Sequence, residues 1–335
     1  MTAFSLINIV LLAILVATAV TITRLRALYE AAMLAALFSL VTACLFVLLD
    51  ALDVAFTEAA VGVGISTVLI LGVLALTRSR EAVTQRRRRL PGVAAVLLVG
   101  GTLGYASLDL PAFGAADSPV HSHPLTEVYL HQSQEAVGIP NTVTSVLASY
   151  RGLDTLGELV VVFTAGLAVV SLLGPLRRRR PTRPERPRPI ADFDLADYRV
   201  IRVVSGGLLP FVLLFALYVL FHGEYGPGGG FQAGVIFASG FVLYGLVFGL
   251  DRAQRVVPHA ALWSLVTLGL LVYIGLGMAT MLLGGSFLDY DVLAPGNPAT
   301  GQHLGILVVE TAIGITVASV MTTIFFSFAG RGVSR

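Results

Sequence analysis

The 335-residue sequence contains no lysine and a single cysteine, so all 22 of its basic residues are arginine. One cysteine, Cys44, excludes an internal disulfide, a cysteine-based zinc site and iron–sulfur ligation by this chain alone. Because Cys44 lies in an apolar run, we expect it to be a small core residue. Charged residues make up only 13% of the chain, against about 25% in soluble globular domains. The composition therefore excludes an ordinary soluble domain.

The sequence also lacks the motifs by which proteins bind nucleotides, flavin or haem. We therefore expect no cofactor, no enzymatic activity of its own and no binding to nucleic acid. Three histidines, His121, His123 and His131, lie in one predicted loop, a spacing that is only a weak signal for zinc. We interpret this loop as a surface segment and expect no metal site.

Long apolar runs fill most of the chain, which is 56% hydrophobic with a mean hydropathy of +0.85. Runs of about 18 or more apolar residues predict transmembrane helices, whereas a membrane β-barrel shows short alternating segments. The sequence therefore predicts an all-α, multi-pass membrane protein of about nine helices, at roughly 5–23, 31–49, 59–77, 90–108, 159–176, 203–221, 230–250, 260–288 and 304–330.

The arginines indicate an orientation. With nine spans and the N-terminus outside, every arginine except Arg151 falls on the cytoplasmic side, as the positive-inside rule requires. This places the C-terminus in the cytoplasm. Arginine-rich stretches also divide the chain into a three-helix block at 1–84, a two-helix block with an outer loop at 85–176, an Arg/Pro-rich cytoplasmic linker at 177–194, and a four-helix block at 195–335.

Carboxylates inside the spans are candidates for ion transfer, because ionisable groups are costly in a bilayer. Glu58 begins the third span, where it also complements the helix dipole. Gly62 and Gly64 follow it, and they permit either close helix approach or a local departure from α geometry. A structural and a functional role for Glu58 are equally well supported by these residues.

Two further carboxylates come with ionisable companions. Arg151, Asp154 and Glu158 are spaced three and four apart and share one helix face, so they form either a self-neutralising ladder or part of a proton path. Glu310 lies about two turns inside the last span. His303 lies seven residues earlier, on the same face, and no basic residue of that helix is placed to pair with Glu310.

The segment HGEYGPGGGFQAG at 222–234 joins two spans and combines a proline with three glycines. It predicts either a tight exposed hairpin or a close-packed turn set against another protein chain or a cation path. Its distinctive residues are His222, Pro227, Gly228, Gly229, Gly230 and Gln232.

The pattern HGxxxPGGGFQ, followed by GGSFLDYD at 284–291 and GQHLGILVVETAIGITVASVM at 301–321, resembles MnhB-type subunits of Mrp multisubunit Na⁺/H⁺ antiporters over about residues 195–330. LDVAFTEAAVGVGIST resembles an MbhD-type domain, which is related to the J-type subunit of respiratory complex I. YRGLDTLGELVVVF resembles an MbhE-type domain. The chain therefore looks like a fusion of three small membrane subunits.

The resemblance implies a component of a cation/proton antiporter in the bacterial cytoplasmic membrane, beside large A- and D-type and small C-, E-, F- and G-type subunits. Protons and Na⁺ are the implied transported ions, and membrane lipid surrounds the complex. It also implies ion-transfer roles for Glu58 and Glu158. Two alternatives stay open: a membrane-arm component of a hydrogenase-type or complex-I-like redox pump, and a purely structural joint between subunits.

Overall fold

The structure is a computed structural model that describes residues 3–77, 86–173 and 199–332. The predicted linker at 177–194 lies outside these residues. Throughout the described ranges the regular structure is helical, without a β-strand, and nine helices are long and apolar enough to cross a membrane. The predicted fold class and number of spans are therefore confirmed.

The membrane helices are α1 to α9 in chain order. Their bounds are Ala3–Arg24 for α1, Leu28–Leu48 for α2, Arg86–Ala106 for α4, Gly152–Leu173 for α5, Arg199–His222 for α6, Gly230–Phe248 for α7, His259–Leu282 for α8 and Pro298–Gly332 for α9. The remaining one, α3, runs through the consecutive segments Leu52–Glu58, Ala59–Ile65 and Ser66–Leu76. Short helical turns within residues 107–150 connect α4 to α5.

Several helix ends differ from those predicted. The helix α5 begins at Gly152 and α9 begins at Pro298, both earlier than the apolar runs suggested. Polar first turns are helical but invisible to a hydropathy count. The helix α8 ends earlier than the predicted 288, at Leu282, because Gly284 takes a left-handed φ of 96° and turns the chain.

The middle of α3 is a π-helix, over Ala59–Ile65. It contains Gly62 and Gly64, the two glycines that permitted a departure from α geometry. The structure shows both features: the helix is irregular, and Gly62 lies so close to α2 that a Cβ on it would stand 2.6 Å from the Ser39 hydroxyl. A π-helix bonds each residue to the fifth along instead of the fourth, which widens the helix, and such segments are frequent at functional sites.

The helix α9 is the centre of the molecule, with 61% of its most apolar stretch buried. It packs against α5, α7, α8 and the last segment of α3. Side chains of Ile306, Val309, Ile313, Val317 and Phe326 are buried along its length. The first block is attached through α3, because α1 packs on α2 and α2 packs on α3.

Two parts of the chain lie away from this centre. The helix α4 buries none of its apolar stretch within the described chain. Cys44 is exposed, so the expectation of a small core residue was wrong: Val41 and Ala43 turn inward on α2 instead.

The loops that the topology predicts outside the membrane meet at one end of the molecule. Residues near the start of α3, the end of the α4–α5 connection and the α6–α7 loop are in direct contact there, through Asp53, Asn141 and Gly228. This agrees with the predicted alternation of the spans. Which side of the membrane this end faces remains a prediction.

Candidate functional site

The α6–α7 loop, residues 223–229, is a close-packed turn and not an exposed hairpin. Gly223 and Gly228 are buried, and Gly229 has a φ of 115° that favours glycine. The N–H of Gly229 donates to the carbonyl of Val219 at 3.1 Å. A Cβ on Gly230 would collide with the backbone carbonyl of Glu310. The glycines therefore let the loop lie directly against α9.

Asn141 ties this loop to the second block. Its amide nitrogen donates to the carbonyls of Gly226 at 2.9 Å and Gly223 at 3.1 Å, and its backbone N–H donates to the carbonyl of Glu224 at 3.0 Å. Thr144 adds a hydroxyl bond to the carbonyl of Gly223 at 2.7 Å. The loop is therefore held by side chains that lie about 80 residues earlier in the sequence.

The first block reaches the same loop through two polar side chains of α3. The backbone N–H of Gly228 donates to a carboxylate oxygen of Asp53 at 3.3 Å. The amide of Gln232 donates to the hydroxyl of Thr57 at 2.7 Å. All three blocks thus meet at the loop.

The other two residues of the predicted motif lie at its edge. His222 stacks on Tyr218 with ring centroids 5.0 Å apart. Pro227 is exposed. Among the described residues, neither side chain makes a hydrogen bond that links the three blocks.

Glu310 lies beneath the loop on α9. One of its carboxylate oxygens accepts a hydrogen bond from the backbone N–H of Gly230, the first residue of α7. The N-terminus of a helix is a favourable place for a negative charge, because its N–H groups are free and its dipole is positive there. The structure therefore gives Glu310 a partner that is not a side chain.

The predicted companion of Glu310 pairs with another residue. His303 Nδ1 lies 2.5 Å from a carboxylate oxygen of Glu224, in the loop. The Glu224 side chain is 8% exposed and that of His303 is 51% exposed. The second carboxylate oxygen of Glu224 is buried and has no hydrogen-bond partner among the described residues. Leaving such an acceptor unsatisfied costs about 1–3 kcal/mol.

Glu224 is the candidate residue that the sequence reasoning missed. It stands in the quoted segment, but nothing local distinguishes it from an exposed loop glutamate. Burial raises the pKa of Glu224 above its usual range, and the neighbouring His303 opposes that increase. A cavity of about 280 Å³ reaches this pair, lined by Gly138, Ile139, Pro140, Glu224, Tyr225, Ala299, Thr300 and His303.

Two buried tyrosines bind the second block to the last helices of the chain. Tyr290, within the GGSFLDYD stretch, is fully buried and donates its hydroxyl hydrogen to the carbonyl of Ala148 at 3.0 Å. Burial raises the pKa of Tyr290, and the charge of Glu310 acts in the same direction. Tyr273 of α8 makes the corresponding bond to the carbonyl of Gly152 at 2.7 Å. These bonds fix the second block against the α8–α9 corner.

Glu58 lies in α3 next to the π segment, and its side chain is partly buried. One carboxylate oxygen of Glu58 and the hydroxyl of Ser39 each lie 2.6 Å from where a Cβ on Gly62 would stand. The carboxylate therefore occupies space that only a glycine at position 62 leaves free. Glu58 follows Thr57, which contacts Gln232, so it lies beside the site without forming part of the hydrogen-bonded cluster.

The structure does not bring the predicted acid–base ladder into this cluster. Arg151 and Asp154 form an exposed ion pair at 2.5 Å. The Glu158 side chain, on α5, is exposed in the described chain. Arg151 precedes α5, which begins at Gly152, so within this helix only Asp154 and Glu158 can share the predicted face.

The cluster has the components of a proton or cation relay. His303 is exposed to the cavity, Glu224 is buried behind it with one free acceptor oxygen, and Glu310 lies deeper at a helix N-terminus. The carboxyl groups of Asp53, Glu224 and Glu310 gather at this one loop: Asp53 accepts a hydrogen bond from the N–H of Gly228, and Glu310 accepts one from the N–H of Gly230. Like charges in one site disfavour each other, so such a group of carboxylates tends to hold a proton or a cation.

Family models match three stretches of the chain. Residues 200–323 match a domain related to the MnhB subunit of Na⁺/H⁺ antiporters. Residues 13–79 match the MbhD model, which describes the D component of MBH. Residues 86–190 match the MbhE model, which describes the E component of MBH.

Two relatives illustrate the range of lengths. A probable K⁺/H⁺ antiporter protein of the A/B type from Rhizobium meliloti (strain 1021) is 27% identical over 78% of this chain, which spans only 28% of that protein. A Staphylococcus epidermidis protein described as putative antiporter subunit mnhB2 is 31% identical over 39% of this chain and 94% of its own length. The present chain is thus longer than one relative and much shorter than the other.

Two solved structures are similar in fold. A chain of the Mrp complex from Dietzia sp. DQ12-45-1b superposes with a TM-score of 0.76 at 26% identity, over 96% of this chain and 34% of that chain. A chain of the membrane-bound sulfane sulfur reductase, an archaeal respiratory membrane complex, gives a TM-score of 0.56 at 29% identity, over 72% of this chain and 98% of that chain.

Proposed function

The chain belongs to the family of MnhB-type subunits of Mrp-type antiporters, and from this we propose that it is a non-enzymatic membrane component of a multisubunit cation/proton antiporter, with Glu224, His303 and Glu310 in the ion path. The relatives are antiporter proteins, which are transporters and not enzymes. The proposed driving force is the proton motive force, whose electrical part is about 2.3 kcal/mol per charge per 100 mV.

One observation carries the proposal: the Glu224–His303 pair at 2.5 Å, between a cavity and Glu310. A protonated His303 neutralises Glu224, and a proton that leaves His303 for Glu224 leaves the pair neutral as well. Transfer of the proton between His303 and Glu224 therefore isolates no buried charge, which keeps the free-energy cost of that step low. Release of the proton to the cavity leaves Glu224 as a buried anion, so the pair favours holding one proton.

We further propose that Glu58 and Glu158, with Arg151 and Asp154 beside Glu158, serve ion transfer at contacts with neighbouring subunits. Support comes from their place inside the spans, where ionisable residues are rare, and from the family resemblance. We propose Na⁺ and protons as the transported ions, and large A- and D-type and small C-, E-, F- and G-type subunits as partners. The bacterial cytoplasmic membrane is the proposed location.

The proposed units are 1–84, 85–176 and 195–335, joined by the stretch at 177–194. A second role for the chain is to hold these units together. It is supported by the hydrogen bonds that join Asn141 and Asp53 to the α6–α7 loop and Gln232 of α7 to Thr57 of α3. A joining role and an ion-transfer role are compatible, and they are separated by testing ion exchange in complexes that remain assembled.

Exchange by the whole complex tests the proposal. Inverted vesicles carrying the complex are energised, and Na⁺- and K⁺-dependent release of the proton gradient is measured for wild type and Glu310→Gln. We expect Glu310→Gln to lose most exchange while the complex stays intact on a native gel. Glu135→Gln, on an exposed turn, is the matched control. Full exchange in an assembled Glu310→Gln complex would leave the chain as a structural joint only.

The similarity to a respiratory membrane complex supports a second candidate, a membrane-arm component of a redox-driven ion pump. Purification through an affinity tag on this chain separates the two. If iron–sulfur proteins copurify and the purified complex shows no cation-dependent proton release, the redox pump becomes the better supported function.

A further inference from the structure

A second cavity lies within the last block of the chain and shares no residue with the cavity at Glu224. Its volume is about 400 Å³, and residues of α6, α7, α8 and α9 line it. Because α6 packs on α7, α7 on α9 and α9 on α8, the cavity is a groove with α7 and α9 as its floor. The floor is made largely of small residues, namely Ala233, Gly234, Gly314 and Ala318. We call this space the α6–α9 cavity.

The lining of the α6–α9 cavity is apolar. None of the described residues that line it is charged. Two of its hydroxyl groups are bonded within their own helix, since Thr311 donates to the carbonyl of Leu307 and Thr322 to that of Ala318, each at 2.7 Å. Burying a polar group without a partner is costly, so the cavity suits an occupant that is apolar where it lies between the helices.

The dimensions of the cavity match one hydrocarbon chain. It extends on α9 from Thr311 to Thr322, a length of about 16 Å at 1.5 Å per residue. The hydrocarbon core of a bilayer is about 30 Å thick, so the acyl chains of one leaflet span about 15 Å. A methylene group is similar in size to water, which takes about 30 Å³, and the cavity therefore holds roughly 13 methylene groups.

A transmembrane helix of another polypeptide is too large for this space. An α-helix with its side chains is about 10–12 Å across, so 16 Å of helix fills more than about 1,000 Å³. This is over twice the 400 Å³ of the cavity. An acyl chain fits without any movement of α6 away from α8.

One end of the cavity lies beside exposed positive charge. Val257 lines this end, and it directly follows the short helix Leu250–Val256, which connects α7 to α8. Arg252 and Arg255 of the short helix are exposed, and Asp251 is its single acidic residue, so the helix carries a net positive charge. Arginines at a membrane surface attract anionic lipid headgroups.

We propose that the α6–α9 cavity binds one acyl chain of an anionic membrane phospholipid, whose phosphate lies at Arg252 and Arg255. The acyl chain fills the space between α6 and α8 and joins these helices through apolar contacts. The headgroup occupies the end of the cavity at the connection between α7 and α8, which the arginine distribution places on the cytoplasmic side. This inference goes beyond the proposed function, because it does not depend on which ions the complex exchanges.

Lipid retention by the assembled complex tests the acyl-chain site. The complex is purified in mild detergent, and its bound phospholipids are counted by native mass spectrometry for Ala318→Phe, which fills the cavity, and for Met278→Phe. Met278 is 56% exposed on α8 and does not line the cavity, so Met278→Phe is the matched control. We expect Ala318→Phe to lose most of the retained anionic phospholipid, and Met278→Phe to retain as much as wild type. Equal retention by the two variants would overturn the proposal.

A second measurement needs no substitution in the cavity. The wild-type complex is reconstituted with an anionic phospholipid that carries a photoreactive group within one acyl chain, washed with detergent and irradiated. We expect the adducts that survive washing to lie at cavity residues, such as Leu217 and Leu265, and not at Met278. Adducts spread evenly over exposed helix surfaces would show that lipid only surrounds the protein. That result would also overturn the proposal.

A photoreactive amino acid at position 315, which lines the cavity, tests for an occupant other than lipid. We expect its adducts to be phospholipid. Adducts with another polypeptide, or with a second copy of this chain, would identify protein as the occupant and contradict the proposal.

The choice of headgroup is tested by Arg252→Gln combined with Arg255→Gln. We expect this variant to retain anionic phospholipid about tenfold less than wild type relative to zwitterionic phospholipid, because each arginine near the surface contributes to the attraction. Arg26→Gln is the control, since Arg26 is exposed between α1 and α2 on the same predicted side. An unchanged preference for anionic lipid would overturn the assignment of the phosphate. Because lipid and not ion exchange is measured, this outcome is independent of the proposed function.

Discussion

At the scale of single residues, the partner of His303 is the main departure from the sequence analysis. Helical spacing placed His303 and Glu310 on one face, seven residues apart, and suggested that they act as a pair. The structure pairs His303 with Glu224 and gives Glu310 a backbone N–H of Gly230. Spacing along one helix cannot reveal a partner that lies 79 residues away, so Glu224 required the tertiary structure.

Replacement of His303 should move the pH profile of exchange. Burial raises the pKa of Glu224 and His303 lowers it, so His303→Gln removes the lowering influence and the pKa of Glu224 rises further. Glu224 then stays protonated to higher pH, and we expect the acid limb of the exchange profile to move to higher pH. The profile is measured in inverted vesicles, with His131→Gln on the exposed loop as control. If the acid limb stays at the same pH in His303→Gln, His303 does not take part in the ion path.

Gly230 should not accept a side chain. A Cβ there meets the carbonyl oxygen of Glu310 and lies 2.8 Å from Cβ of Ile313. We therefore expect Gly230→Ala to destabilise the chain by about 1–3 kcal/mol, as overpacking does, and to lower the melting temperature of the purified complex. Gly275→Ala is the control, because open space surrounds that helical position. Equal melting temperatures for both variants would show that α7 does not approach α9 this closely.

At the scale of elements, the membrane helices were predictable because their apolar runs are long, while the interruption in α3 was only partly so. Gly62 and Gly64 indicated either close approach or irregular geometry, and no local signal chose between them. The π segment places one glycine beside Glu58 and leaves the other almost free. The packing of α3 against α2 and α7 decides this arrangement. That packing cannot be predicted from the sequence of α3 alone.

The two glycines of α3 therefore predict opposite results. A Cβ on Gly62 would lie 2.6 Å from both the Glu58 carboxylate and the Ser39 hydroxyl, whereas the nearest atom to a Cβ on Gly64 is 3.7 Å away. We expect Gly62→Ala to displace Glu58 and reduce exchange severalfold in an assembled complex, and Gly64→Ala to leave exchange near wild type. Equal exchange rates in the two variants would contradict a positional role for Gly62.

At the scale of the whole molecule, three blocks that the arginine-rich stretches separate in sequence come together around one loop. Composition predicted the blocks and the motif, and the loop's glycines indicated a special turn. It could not be predicted that Asp53, Thr57 and Asn141 would converge on that turn, because polar side chains near span ends are common and their contacts depend on how the helices assemble. The exposure of Glu158 was equally unpredictable, because helical periodicity shows which residues share a face but not what surrounds that face.

Asn141 should be the residue on which this assembly depends most. Its amide bonds to Gly223 and Gly226 are buried or nearly so. Asn141→Ala would leave the Gly226 carbonyl without its donor, at about 1–3 kcal/mol, and the Gly223 carbonyl with only the Thr144 hydroxyl. We expect a lower melting temperature and faster proteolysis of the α6–α7 loop. Asn297→Ala, at an exposed position, serves as control. A loop that resists protease equally in both variants would show that the blocks are held elsewhere.

The most direct test of the central claim is cation-dependent proton exchange by the assembled complex carrying Glu224→Gln, measured in inverted vesicles beside Glu135→Gln. Glutamine preserves the size of the side chain and a hydrogen bond to His303 but cannot take up a proton. The account predicts that Glu224→Gln loses most exchange in a complex of normal composition, while Glu135→Gln exchanges like wild type. Wild-type exchange by an intact Glu224→Gln complex would contradict the claim that the Glu224–His303 pair lies on the ion path.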